Sequence, residues 1–165
     1  MFFTDFLIEV LVVESVLLTA VGGDLCQSSF KNPCPTDWIN WRDSCYMTPI
    51  EKVDWFTAHD LCQSYGGVLA APADAAENAF LKGIAPWRNV WIDCYNAESH
   101  ESTCLNEGRE VAYRNWAPGE PNDYQGVEEK CIEMYKGTGL WYDTPCGKAQ
   151  RVLCRRRQRF SSEEL

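Results

Sequence analysis

Trp116-Ala117-Pro118-Gly119-Glu120-Pro121-Asn122 is the segment on which the reading of this chain turns. Its two prolines and its glycine break helix and central strand alike, so the segment is a loop built from fixed turns. Taken alone, Glu-Pro-Asn is more often an exposed turn than a metal loop. Its surroundings argue otherwise, because Glu129 and Cys131 follow it and Trp141-Tyr142-Asp143 stands ahead of Cys146. The stretch from about 94 to 130 is too long and polar for an ordinary connection, and long loops on a cross-linked scaffold usually carry function.

At 165 residues, with 45% hydrophobic and 13% aromatic content, the chain buries one core and reads as a single domain. Its 9 cysteines (26, 34, 45, 62, 94, 104, 131, 146 and 154) are too many for a reducing compartment and lack the paired short spacings of a zinc site. Disulfides and a secreted, extracellular protein follow. The odd count leaves one thiol over. Cys26, outside the compact part of the chain, is the candidate for an intermolecular bridge in a homodimer, with a free thiol or a different pairing as alternatives.

Residues 1–22 read as a signal peptide, apolar from Phe2 to Val21 with small residues Ala20 and Gly22 at the cleavage site. No Lys or Arg opens the segment, and Asp5, Glu9 and Glu14 interrupt it, which also makes it a poor membrane span. An amphipathic helix kept in the mature protein is the weaker alternative, because the cysteines demand export. Residues 23–33 form an N-terminal segment, 34–155 the domain and 156–165 a polar tail. The tail continues the basic run Arg155-Arg156-Arg157 with Arg159, read as solvated, with a processing site as the alternative. Removing 1–22 deletes three acids and no bases and takes the formal charge from -9 to -6. Such an acidic chain is a poor partner for nucleic acid or an anionic membrane.

Cys34 to Tyr46, with Trp38, Ile39 and Trp41 near alternate positions, predicts a small N-terminal hairpin. Asp54 ahead of Trp55, Ala58, Leu61 and Cys62 predicts a helix over about 54 to 65, ended by Gly66-Gly67. Asp74 and Glu77 form a capping box for a second short helix that stops near Pro86. From Trp87 onward, β-type runs (Asn89 to Ile92, Ala112 to Tyr113, Ile132 to Met134, Val152 to Leu153) alternate with polar stretches. Helices first and short strands later is an α+β pattern.

Cys34-Pro35, Trp38, Cys45-Tyr46, Cys62, Gly66-Gly67-Val68-Leu69-Ala70, Glu77-Asn78-Ala79-Phe80-Leu81, Val90-Trp91-Ile92, the Trp116 to Asn122 segment, Cys131, Trp141-Tyr142-Asp143, Cys146 and Cys154 together resemble the C-type lectin-like domain. The match runs from about 34 to 155 and implies the long form of that fold: two short helices, an N-terminal hairpin, antiparallel strands and a long irregular loop. It also implies the bridges Cys34–Cys45, Cys62–Cys154 and Cys131–Cys146, which spacing alone does not choose. Where the family usually has Gly-Leu after its Trp-Ile, this chain has Asp93-Cys94, and an extra loop disulfide from Cys94 to Cys104 is the economical account.

The resemblance implies a calcium site that is also the sugar site. Calcium takes six to eight oxygens, mostly carboxylate and amide carbonyl, and Glu120, Asn122, Glu129 and Asp143 offer them on either side of Cys131. In the family the proline of the triplet, here Pro121, is cis and turns its neighbours toward one ion. Adjacent sugar hydroxyls complete the ion's shell, and the Glu-Pro-Asn order goes with equatorial 3- and 4-hydroxyls: mannose, glucose and N-acetylglucosamine, microbial surfaces included. The family normally has Trp-Asn-Asp where this chain has Trp141-Tyr142-Asp143, so one amide ligand is missing. Asp123, Glu128 or a Tyr142 ring stacked on the sugar are candidate compensations. Lys130 stands where an acid would be needed for a second calcium.

Trp91, Trp116 and Trp141 read as packing rather than sugar platforms. His59 and His100 are the sole histidines and neither has a motif around it, so an enzyme is a distant reading behind a calcium-dependent lectin and a calcium-independent, protein-binding member of the fold.

Overall fold

The computed structural model describes residues 33–85, 88–97 and 101–158. The signal peptide, Cys26 with its bridge, Pro86, Trp87, His100 and the end of the polar tail lie outside those residues. Strands β1 (Ile39–Trp41) and β2 (Ser44–Met47) form the expected hairpin, with Ile39 opposite Tyr46. Helix α1 (Trp55–Ser64) starts at Asp54, whose carboxylate accepts from the Thr57 amide at 3.0 Å. It ends at Gly66 in the left-handed region, φ 77°. At Gly67 a Cβ would lie 2.7 Å from the Arg155 carbonyl oxygen and from the Trp38 ring, so the turn meets the last strand only without a side chain there.

After β3 (Val68–Leu69) comes helix α2 (Ala75–Ile84), with the Asp74 carboxylate accepting from the Glu77 amide at 2.8 Å. The reach-back of the capping box goes one residue further than expected, because the Glu77 side chain accepts from the Ala73 amide at 3.0 Å. Glu77 is buried, and its other oxygen accepts from the Tyr46 hydroxyl at 2.5 Å with the Arg155 guanidinium 3.7 Å away. One side chain thus caps α2 and ties it to the hairpin.

The later strands depart from expectation. The run from Asn89 continues to Asn96 as β4 (Asn89–Asn96), and β5 (Ser102–Asn106) turns back on it with Cys94 opposite Cys104. A short β6 (Arg109–Glu110) follows, so the first part of the 94 to 130 stretch is a stapled hairpin, not loop. Ala112–Tyr113 is not a strand: Arg114 reaches back to the Val111 and Tyr113 carbonyls at 2.6 and 2.9 Å, so its guanidinium takes up acceptors that a neighbouring strand would otherwise satisfy. Strands β7 (Cys131–Tyr135), β8 (Trp141–Thr144), β9 (Arg151–Val152) and β10 (Cys154–Arg157) complete the fold. Arg156 and Arg157 belong to β10, where they pair with Cys45 and Ser44.

Two sheets result, β1-β2-β10-β3 and β6-β5-β4-β7-β8, with β9 alongside β4. Pairing is antiparallel except for β4 with β9, which runs parallel because the chain leaves β8 and comes back along β4 in the same direction. Among the described residues the disulfides are Cys34–Cys45, Cys62–Cys154, Cys94–Cys104 and Cys131–Cys146. Cys62–Cys154 fastens α1 to β10 across 92 residues and withdraws the most freedom from the unfolded chain. Trp91 and Trp141 are fully buried, in two adjoining core clusters. The Trp141 indole donates to Asn78 at 2.8 Å, and the Asn78 amide donates to the Gly139 carbonyl at 3.0 Å. That chain of bonds locks α2 to the strand that carries Asp143.

Candidate functional site

The Trp116 to Asn122 segment is held along β8 by its own backbone. The Trp141 amide donates to the Asn115 carbonyl at 2.8 Å and the Ala117 amide to the Trp141 carbonyl at 2.9 Å, a parallel bridge next to the core. The chain then turns, with the Glu120 amide donating to the Ala117 carbonyl at 3.0 Å, and the Glu120–Pro121 peptide is cis. This delivers Asn122 to Asp143: the Asn122 amide lies 3.1 Å from both carboxylate oxygens, and the Asp123 amide donates to one of them at 3.2 Å.

Asp143 is buried on the β8 face shared with its register partner Ile132, and its carboxylate oxygens are held by those backbone amides. Glu129, also buried, accepts from the Tyr124 amide at 2.9 Å and donates its own amide to Asp123 at 2.8 Å. Asp123 sits in the left-handed region at φ 45°, which its short polar side chain tolerates. It is the loop's internal anchor. Sequence reasoning had it only as a spare ligand, although the Asn-Asp pair after a proline is a recognisable turn signal.

The Asn122 side-chain amide donates to Glu120 at 2.9 Å. Burial first, then a hydrogen bond to Asp143 and the charges of Asp143 and Glu129, push the Glu120 carboxyl up to about 7. Three acids and one side-chain amide thus crowd one corner without a cation among them. Among the described residues no three Asp, Glu, His or Cys side chains stand close enough to form a ready-made metal group. As a donor set, hard oxygens carrying more negative charge than the corner accommodates, they fit calcium.

Tyr142 lies elsewhere. Its register partner is Glu133, and the ring lines a recess with Arg88, Asn89, Glu133 and Tyr135, on the opposite face of the strand from Asp143. The ring, one candidate for stacking on a sugar, therefore faces away from the Asp143 carboxylate. Glu128 is taken by Lys130 in an ion pair of 2.5 Å. Trp141 shapes the site from beneath, through the Asn115–Ala117 bridge and its own burial, and Trp116 is partly buried against the same core.

The Lectin C-type domain family model matches residues 51–156. The human C-type lectin domain family 4 member G is 31% identical over 138 residues, covering 81% of this chain and 46% of that protein, so the chain spans less than half of that relative's length. Among solved structures, the cow C-type carbohydrate-recognition domain of CD23, crystallised in the presence of a GlcNAc2Man3 oligosaccharide, superposes with a TM-score of 0.70 at 31% identity, covering 77% of this chain and 98% of that one. A calcium-independent type II antifreeze protein superposes with a TM-score of 0.68 at 26% identity, covering 75% and 94%. The chain belongs to the C-type lectin domain family, a carbohydrate-binding family whose members bind rather than catalyse. No helix among the described residues is long and apolar enough to cross a membrane.

Proposed function

We propose that the protein is a secreted, calcium-dependent lectin for mannose-, glucose- or N-acetylglucosamine-type glycans, with Glu120, Asn122, Glu129 and Asp143 holding the ion. One observation carries this reading: the turn at Glu120–Pro121 and the Asp143 bonds bring three acids and an amide from two segments to one corner, where the groups acting on Glu120 among the described residues are the acids Asp143 and Glu129. Calcium there would be the electrophile that sugar hydroxyls ligate. The chain's own part is to hold the oxygens, to accept hydroxyl protons at Glu120 and to donate from the Asn122 amide. Tyr142, standing in place of the family's Asn, leaves four side-chain ligands, which lowers the expected affinity about ten- to a hundredfold.

A calcium-independent reading has an observation of its own. Asp143, Asp123 and Glu129 already tie the loop through backbone amides, so its fold needs no ion. Retention on mannose resin with elution by chelator, beside a thermal melt with millimolar calcium, separates the two. The lectin reading expects both retention and a shift that Asp143→Asn abolishes; neither appearing would leave the calcium-independent one.

A further inference from the structure

We propose a second binding site, an anion subsite for acidic saccharides, in the recess of about 590 Å³ lined by Lys52, Arg88, Asn89, Gln150 and Arg151. It does not rest on the calcium reading. The topology assembles it from three distant segments. Parallel pairing of β9 with β4 puts Val90 opposite Arg151, which lays Arg88–Asn89 beside Gln150–Arg151, and the bridge between Val53 and Gln150 adds Lys52 to the rim. Three cations therefore face one concavity, with no acid among the described lining residues, in a chain of formal charge -9.

Two of the lining amides are also held in place from behind the wall. Buried Glu133 accepts from the Asn89 amide on one oxygen and from the Gln150 amide, at 2.5 Å, on the other. Those two bonds fix both amides at the wall without spending their remaining donors and acceptors. Fixed amides beside guanidinium and ammonium groups suit a ligand that is a carboxylate or sulfate ester on one side and a hydroxylated ring on the other. The volume is in the range of small-molecule sites and admits a sugar ring rather than a bare ion. The neighbouring recess at Tyr142 shares Arg88 and Asn89, so a second sugar residue has a place to continue against the phenol.

Calorimetric titration of the whole chain at low salt tests this with a sulfated disaccharide, a uronic-acid disaccharide, a neutral disaccharide and inorganic sulfate. Binding of the acidic disaccharides, insensitive to chelator and weakened at least tenfold by Arg88→Glu or Lys52→Glu, is the expected result. Both positions are exposed, and a circular-dichroism melt of each variant verifies that it folds. Glu120→Gln, which is not among the residues lining the recess, tests the loop site separately. No binding at millimolar acidic disaccharide, or binding undiminished in both folded charge-reversal variants, overturns the proposal. Inorganic sulfate binding as tightly as the sulfated disaccharide overturns its saccharide component.

Discussion

Replacing Asp93 by Asn is expected to stabilise the protein at pH 8 and to do little at pH 4. Asp93 follows Trp91-Ile92 on β4, where the resembling family usually carries a glycine, and is 8% exposed. Burial alone pushes its carboxyl up to about 7 from the ordinary 3.8. The groups facing it come from α1: His59 Nε2 lies 3.4 Å from Asp93 Oδ1 without a hydrogen bond, and the Trp55 ring covers the imidazole at 4.4 Å. Burial holds the imidazole below its ordinary value, so His59 is a reluctant counter-ion. The folded state therefore binds a proton that the unfolded state releases. Stability from the neutral carboxyl is present below about pH 4 and is lost as pH rises toward 7.

A shift of this size corresponds to at most about 4 kcal/mol, and a proton passed to His59 would bring it nearer to about 2 kcal/mol. An amide keeps the shape and can donate to the orphaned His59 nitrogen. Urea unfolding of wild type and Asp93→Asn at pH 4, 6 and 8 reads the difference directly, with common pH effects cancelling between the two proteins. A variant-minus-wild-type difference that stays constant across the series would refute the argument.

Three further outcomes follow from the geometry. Asn78→Ala strands the Trp141 indole N–H and the Gly139 carbonyl in the core and should cost about 1 to 3 kcal/mol in a urea titration, with the Trp141 fluorescence shifted. Replacing Cys94 and Cys104 together by Ser opens a loop of 10 residues and should cost about 3 kcal/mol, while the equilibrium slope in urea rises as the unfolded chain expands. Tyr46→Phe removes the hydroxyl between Glu77 and Arg155 and should lower the midpoint by about 1 to 2 kcal/mol; a neutral result would mean that Arg155 closes on Glu77 unaided.

Much of the fold was legible because local rules wrote it. Asp54 and Asp74 cap where caps were expected, and Gly66-Gly67 ends α1 where only glycine fits against Arg155 and Trp38. The resemblance supplied the pairings Cys34–Cys45, Cys62–Cys154 and Cys131–Cys146, which spacing alone does not choose, and the departure from the family at Asp93-Cys94 pointed to Cys94–Cys104. The β4–β5 hairpin was missed because Ser102 to Asn106 carries no alternating apolar signal, its partner being fixed by Cys94–Cys104. The Arg155–Arg157 run read as a tail because charge predicts exposure. Yet β10 is an inner strand of its sheet, and Glu77 and Glu107 compensate Arg155 from distant parts of the chain.

By itself, then, the sequence determined the family and the helices with their caps. These depend on residue type and short spacing. Only the tertiary structure decided that Tyr142 turns away from Asp143, that Asp123 anchors the loop, and that Lys52, Arg88 and Arg151 share one hollow. Side-chain direction on a strand and proximity across a parallel pair depend on register, and register is settled by packing of the whole domain rather than by any local stretch.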